Sequence, residues 1–282
     1  MADIAQGKNQ APVRKKWGRG FDVKQQNGFT TIAMICFVML YAPILTLVAY
    51  SFNAGTSVAI WAGFSWRWYE SAWANQQVYD ASVRSLTIAA FAAVVSTIVA
   101  TMAALATTRT KPFPGLTFIY AFINQPLMVP EIVTGIALLI FFAAIKVATG
   151  YTGLGYLLIA HTAFCIPFAY LPIRARLENM DLSLERAAAD LYATPFKTFR
   201  YVTLPLLWPG VLAGGMLAFV ISLDDVVITE LVKSGGQDTL PTYMLGQLRR
   251  VVTPEMNAIS SVFLAISIVM VTIFFLLNRK KT

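Results

Sequence analysis

The chain reads as an all-α membrane protein with six transmembrane helices. Of its 282 residues, 57% are hydrophobic and only 13% charged, against roughly 25% charged in an ordinary soluble domain. The apolar residues gather into six runs, each close to or beyond the about 20 residues a helix needs to cross a bilayer. The charges fall mostly between those runs. A net charge of +8 would suggest nucleic acid in a soluble protein. Here the basic residues flank apolar runs, so they report membrane orientation and no nucleic-acid partner is expected. Cys36 and Cys165 lie in separate apolar runs and make no C-x-x-C pair, which supports neither a disulfide framework nor a zinc site.

In chain order, residues 1–28 form a polar tail carrying Lys8, Arg14, Lys15, Lys16, Arg19 and Lys24. The first apolar run, 29–50, is longer than the roughly 7–15-residue core of a signal peptide. It reads as an uncleaved anchor, kinked at Pro43. The other runs are 84–107, 117–147, 154–175, 204–223 and 257–277. The run 117–147 is too long for one straight span and contains Pro126 and Pro130, so a bend or break is expected there. Such breaks survive at membrane depth only when buried in protein or lining a cavity.

Lys and Arg are retained on the cytoplasmic side. With the amino terminus inside, that side holds the tail, Arg109, Lys111, Arg174, Arg176, Arg186, Lys197, Arg200, Arg279, Lys280 and Lys281. The opposite side holds only Arg67, Arg84, Lys146, Lys233, Arg249 and Arg250. Both termini are therefore placed in the cytoplasm. The outer loop 52–83 is rich in Trp and Tyr, which favour the headgroup layer, and a short helix is expected from near Ser65. Small residues line the second span (Ala89, Ala93, Ser96, Ala100, Ala104) and the fifth (Gly210-x-x-x-Gly214, Gly215). They mark faces where helix backbones approach closely in lipid.

Between the fourth and fifth spans lies a polar elbow, Asp181 to Pro205. Asp181 or Ser183 can cap a short helix, with Leu182, Leu184, Ala188 and Leu191 expected on one side. Thr194-Pro195 is expected to break it. The elbow cannot sit in lipid and must be presented to something else.

Few residues can carry chemistry. A carboxylate near the centre of a membrane helix costs roughly 2.5–3.5 kcal/mol on insertion scales. Glu131, just after Pro130, and Asp224 with Asp225, ending the fifth span, are therefore candidates for a cation pathway. For Glu131 the alternative is a hydrogen bond fixing the kink; for the aspartates it is helix termination with solvated charge. Two acids at the negative end of a helix are unfavourable with respect to its dipole. His161 stands without a ligand set and reads as a hydrogen-bonded packing residue. No P-loop, G-x-S-x-G or H-E-x-x-H pattern occurs.

The elbow resembles the cytoplasmic coupling loop of bacterial ABC-importer permeases: Glu-Ala-Ala, three residues, Gly, then nine residues to Ile-x-Leu-Pro. In that register stand Arg186-Ala187-Ala188, Ala189-Asp190-Leu191, Tyr192, and Val202-Thr203-Leu204-Pro205. Arg186 replaces the family's Glu and Tyr192 its Gly, while Glu185 lies one residue early. Tyr50-Ser-Phe-Asn53, the aromatic stretch Trp61 to Tyr69, His161 to Phe168, Ser222-Leu-Asp-Asp-Val-Val227, Thr239-Leu-Pro241 and Pro254 to Ala258 resemble a permease subunit of spermidine/putrescine importers.

The resemblance implies a type I importer permease fold in the bacterial inner membrane. Its domain would span 29–282 after the basic tail, with a core of about 80–277 and a coupling loop at 176–205. It implies a second homologous permease, a cytoplasmic ABC ATPase dimer and a periplasmic polyamine-binding protein as partners. No cofactor and no catalysis are implied for this chain, since ATP is hydrolysed by a separate subunit. Residues expected at the ATPase contact are Glu185, Arg186, Ala187, Ala188, Asp190, Tyr192, Leu204 and Pro205. The alternatives are an ABC permease for another organic cation or ferric ion, and a stand-alone secondary transporter.

Overall fold

The computed structural model describes residues 27–250 and 253–279. The basic tail through residue 26, and Lys280 and Lys281, lie outside the described residues. The chain divides into two units, one ending at Leu47 and the other running from Val48 onward. The first is nearly all of α1 (Asn27–Tyr50), a helix with Pro43 inside it. Its large apolar side chains, such as Met39 and Leu40, are exposed.

In the second unit, α2 (Arg67–Ala74) leads into α3 (Gln76–Thr108), capped by Asn75, whose side chain accepts from the Gln77 N–H at 3.0 Å. The long third run is broken as expected, into α4 (Leu116–Met128) and α5 (Glu131–Thr149). The break falls at Pro130 alone; Pro126 sits inside α4 without ending it. Val129 is extended, φ −93° and ψ 136°, because the Pro130 ring excludes the helical region for the residue before it. Then come α6 (Gly155–Glu178), α7 (Leu182–Asp190), α8 (Pro195–Thr198), a π-helical turn (Phe199–Thr203), α9 (Leu204–Asp224), α10 (Val227–Val232), α11 (Leu240–Leu248) and α12 (Pro254–Arg279). Among the described residues six helices are long and apolar enough to cross a membrane. The second begins at Gln76, eight residues before the apolar run does, because its first two turns are polar.

The core is the trio α3, α6 and α9. On α3 the buried residues Ile88, Ala89, Ala92, Ala93, Ser96, Ala100 and Ala104 recur every three to four positions, the period of one helix face. On α9 the facing residues are Leu207, Gly210, Gly214 and Ala218. A Cβ on Gly214 would stand 2.5 Å from the Ala169 carbonyl oxygen, and one on Gly210 would stand 2.7 Å from Arg176 Cβ. The GxxxG stripe thus lets α9 lie with its backbone directly against α6.

The elbow is built differently from expectation at its far end. Asp181 caps α7, accepting from the Ser183 N–H at 2.8 Å. The helix stops at Asp190, four residues before Thr194. Tyr192 has φ +58°, the Tyr192 N–H donates to Ala189 O at 2.9 Å, and the Ala193 N–H donates to Ala188 O at 3.0 Å. This is a Schellman ending, which usually has Gly in the left-handed position. Thr194-Pro195 does not break α7; Thr194 caps α8 and Pro195 opens it, where its missing N–H costs nothing. Nor do the apolar residues of α7 form a buried stripe. Leu182, Leu184 and Leu191 are all exposed, and α7 buries no side chain.

At the other end of α3, the loop before α2 is held by Asn53, which is fully buried. Its amide donates to Ser57 O and Ile60 O, both at 2.8 Å, and accepts from the Gly55 and Ala62 N–H groups. Around it Phe52, Phe64, Trp66 and Tyr69 pack ring against ring, with centroids 4.9–5.9 Å apart.

The α6–α9 crossing gives a matched test. Gly214→Ala is expected to destabilise the protein by about 1–3 kcal/mol, since a backbone oxygen cannot move aside as a side chain can. Gly246→Ala, where nothing lies within 4 Å, should not. Thermal unfolding of the detergent-solubilised protein reads the difference.

Candidate functional site

The three carboxylates singled out in the sequence converge. Glu131 is the first residue of α5, Asp224 the last of α9, and Asp225 begins the link to α10. The helix α10 packs on α5, and Gly135 admits it: a Cβ there would meet Leu231 Cδ1 at 2.6 Å and stand 3.9 Å from Ile228 Cα. This brings the Glu131 carboxyl close enough to Asp225 and Asp224 to interact with them electrostatically.

The two aspartates have different surroundings. Asp225 is buried and its oxygens are spent on the chain itself. It accepts from the Ile228 N–H at 3.2 Å, the Thr229 N–H at 2.8 Å and the Thr229 hydroxyl at 2.7 Å. Those are free donors at the start of α10, as in any helix cap. His161, 1% exposed, completes the group. Its Nε2 lies 3.0 Å from Thr229 Oγ1 and 3.5 Å from Asp225 Oδ2, and its Nδ1 lies 2.8 Å from Ser222 Oγ. The Thr229 hydroxyl has given its hydrogen to Asp225, so it accepts from His161 Nε2–H. Nδ1 then accepts from Ser222. His161 is thus the hydrogen-bonded residue expected of it, but its partners Ser222 and Thr229 were not foreseen.

Solvated termination does not describe Asp225. It does describe Asp224 more closely: its carboxylate is exposed and opens on a cavity of about 580 Å³ between α9, α11 and α12. Glu131 lies at the N-terminal end of its helix, where the dipole favours an anion, and Asp224 lies at the C-terminal end, where it does not. No group of His, Cys, Asp and Glu among the described residues could hold a metal ion.

The second feature is the elbow at the opposite end of α6. Glu185 is the acidic side chain of α7 that turns inward. Its carboxylate accepts from Arg109 Nε, with Oε2 at 3.0 Å, and from the Thr203 hydroxyl at 2.9 Å. Arg109 Nη1 also donates to Leu177 O at 3.2 Å. One node therefore ties α7 to the ends of α3, α6 and the turn leading into α9. Arg109 and Thr203 had no assigned role in the sequence. Arg186, Ala187, Asp190 and Pro205 are exposed, Ala188 and Leu204 partly so. Tyr192 is 96% and Leu191 83% exposed. The Asp181 carboxyl is held below its ordinary value by hydrogen bonds from the Ser183 hydroxyl and N–H. In the α10–α11 link, burial opposes the charge on Lys233, but Asp238 and Glu230 outweigh it and hold its pKa above the usual lysine value.

Residues 96–280 match the family of binding-protein-dependent transport system inner membrane components. The chain belongs to this family. As such a component it is a multi-pass membrane protein, and a stand-alone secondary transporter is not what the match describes. The putrescine transport system permease protein PotI of Escherichia coli (strain K12) is 40% identical to it over 252 residues, covering 88% of this chain and 90% of the relative. The spermidine/putrescine transport system permease protein PotC of Haemophilus influenzae is 36% identical over 246 residues, covering 87% and 94%. Among solved structures, a bacterial ABC transporter involved in the import of the acidic polysaccharide alginate has a chain that superposes with TM-score 0.72, at 15% identity, over 90% of this chain and 95% of that one. At that identity the likeness shows the importer-permease fold alone.

The contrast between neighbours is testable. Asp225→Ala is expected to cost about 1–3 kcal/mol, since it strands buried donors. Asp224→Asn should stay within about 0.5 kcal/mol, like other changes of exposed groups. Unfolding midpoints of the purified protein decide between them.

Proposed function

We propose that this chain is the permease subunit of an ATP-driven importer that moves polyamines, spermidine or putrescine, across the bacterial inner membrane. The observation that carries the substrate class is the 40% identity, along nearly the whole chain, to a permease named for putrescine transport. The pathway acids support it, because a desolvated ammonium needs carboxylate partners. We place both termini in the cytoplasm, on the bias of Lys and Arg. The domain assignment remains a tail through residue 28, a permease domain from 29 and a coupling loop at 176–205.

The partners follow from the same reading: a second homologous permease, an ABC ATPase dimer at the elbow and a periplasmic polyamine-binding protein at the far side. ATP is hydrolysed by the ATPase and not by this chain. The elbow suits its role because α7 turns only Glu185 inward and fully buries no residue, and Arg186, Asp190, Leu191 and Tyr192 are left for a partner. Closure of the ATPases would move α7, and Glu185 would pass the movement to the spans, shifting them between two states of access. The acids Glu131, Asp224 and Asp225 belong to the pathway in different ways, Asp225 by holding the α9–α10 link in shape.

The test is uptake of labelled putrescine and spermidine into vesicles carrying the assembled system, with the binding protein supplied; absence of uptake of either removes the proposal. Glu185→Ala is expected to lower uptake about tenfold, a coupling loss on the order of 1.4 kcal/mol, while the ATPase still co-purifies. The exchange Arg109→Glu with Glu185→Arg should restore part of it. Tyr192→Gly should stabilise the isolated subunit by about 1 kcal/mol, by relieving a left-handed residue, yet reduce the ATPase recovered with it.

A further inference from the structure

We propose that the cavity beneath Asp224 is a subsite for one ammonium end of an alkylamine chain, held by this subunit during passage. The proposal rests on the polyamine reading and adds a place and a recognition chemistry to it. The cavity, about 580 Å³, lies between the end of α9, α11 and α12. Its walls are largely hydrocarbon, thioether and aromatic, from Leu223, Val226, Met244, Leu248 and Phe263 among others. Among the described residues the polar side chains are Asp224, Ser260 and Ser267, and no Lys, Arg or His lines it.

What those polar groups can do is limited. The Ser260 hydroxyl donates to Met256 O at 2.8 Å and the Ser267 hydroxyl donates to Phe263 O at 3.0 Å. Their hydrogens are committed to their own helix, so they offer lone pairs to the cavity. A carboxylate is likewise an acceptor only. Asp224 is the last residue of α9, so the negative end of that helix dipole lies at the same place. The side chains lining the pocket therefore combine acceptors, one full negative charge and otherwise apolar walls.

The complementary ligand must bring hydrogen-bond donors, a positive charge and a hydrocarbon body. A primary ammonium on a methylene chain has all three. An anion or a sugar lacks the charge or the apolar body. A ferric ion requires several hard ligands at once, and the cavity supplies one carboxylate. The neighbouring Asp225 does not compete for the ammonium, because its oxygens are already engaged.

Charge-selective labelling tests the subsite without relying on transport. In the assembled complex with Cys36→Ser, a single cysteine is placed by Ser260→Cys, or by Ser267→Cys as an independent second position. The cationic 2-aminoethyl and anionic 2-sulfonatoethyl methanethiosulfonates are then compared. The cation is expected to react about tenfold faster, as a focused negative cleft raises local cation concentration. The preference should collapse in Asp224→Asn, and 1,4-diaminobutane should protect while 1,4-butanediol does not. Equal rates for the two reagents, a preference unchanged by Asp224→Asn, or no protection by the diamine would each overturn the subsite. Putrescine uptake by the parent complex without diamine protection overturns the subsite alone. Protection without uptake supports the subsite and removes the importer reading.

Discussion

The α9–α10 junction depends on how a helix is interrupted inside an apolar protein body. Each new helix start exposes backbone N–H groups that have no water to turn to, and leaving one unmet costs more than a hydrogen bond contributes. Asp225 meets two of them and a threonine hydroxyl. His161 then spans from Thr229 on one side of the junction to Ser222 on the other. The junction is thereby fixed in one geometry. Asp224, one residue earlier, caps no helix start and faces a cavity. A pair of adjacent acids that looks redundant in sequence is a division of labour in space.

How much of this could be read beforehand follows from the range of each signal. Six spans, a break at Pro130 and close-packed small-residue faces were legible because each rests on local composition or helical period. The start of α3 was not, because Gln76, Gln77 and Asp80 carry no hydropathy; the cap at Asn75 was the available cue. The end of α7 was hidden differently. A tyrosine seldom adopts a left-handed backbone, so nothing in its side chain announces it. Only the family position, where Gly is usual, pointed to Tyr192. The His161–Asp225 contact joins residues far apart in sequence, and no local pattern encodes it. Register misled at the elbow too. The family pattern draws the eye to Arg186, but Glu185 lies about 100° away around the helix, and it is that face which meets Arg109 and Thr203.

Packing within the second unit is uneven. In the trio α3, α6 and α9, glycine and alanine put backbone against backbone, and such contacts slide or rotate as bodies more readily than they deform. The helix α4 is the opposite case. It buries no side chain. It begins after Gly115, at φ +101°, and ends at the Pro130 break. Its polar anchor is Tyr120, whose hydroxyl donates to Thr107 O at 3.0 Å while the Arg174 guanidinium lies 4.1 Å from its ring centroid.

Asp224 and Asp225 ride on the stiff trio through α9. Glu131 sits one residue past the break, at the start of α5. On the proposed coupling route a displacement entering at Glu185 is delivered to the ends of α3 and α6 and to the turn before α9, and α4 shares in it through Tyr120, bonded to Thr107 near the end of α3. Glu131 opens α5, which packs on α10 through Gly135, so its separation from the two aspartates is set by the α5–α10 contact as well as by α9. The attraction of a carboxylate for a cation falls off with separation and is strongest where water is excluded. The acids stand where α5, α9 and α10 meet, and on the proposed reading their spacing follows how those helices pack.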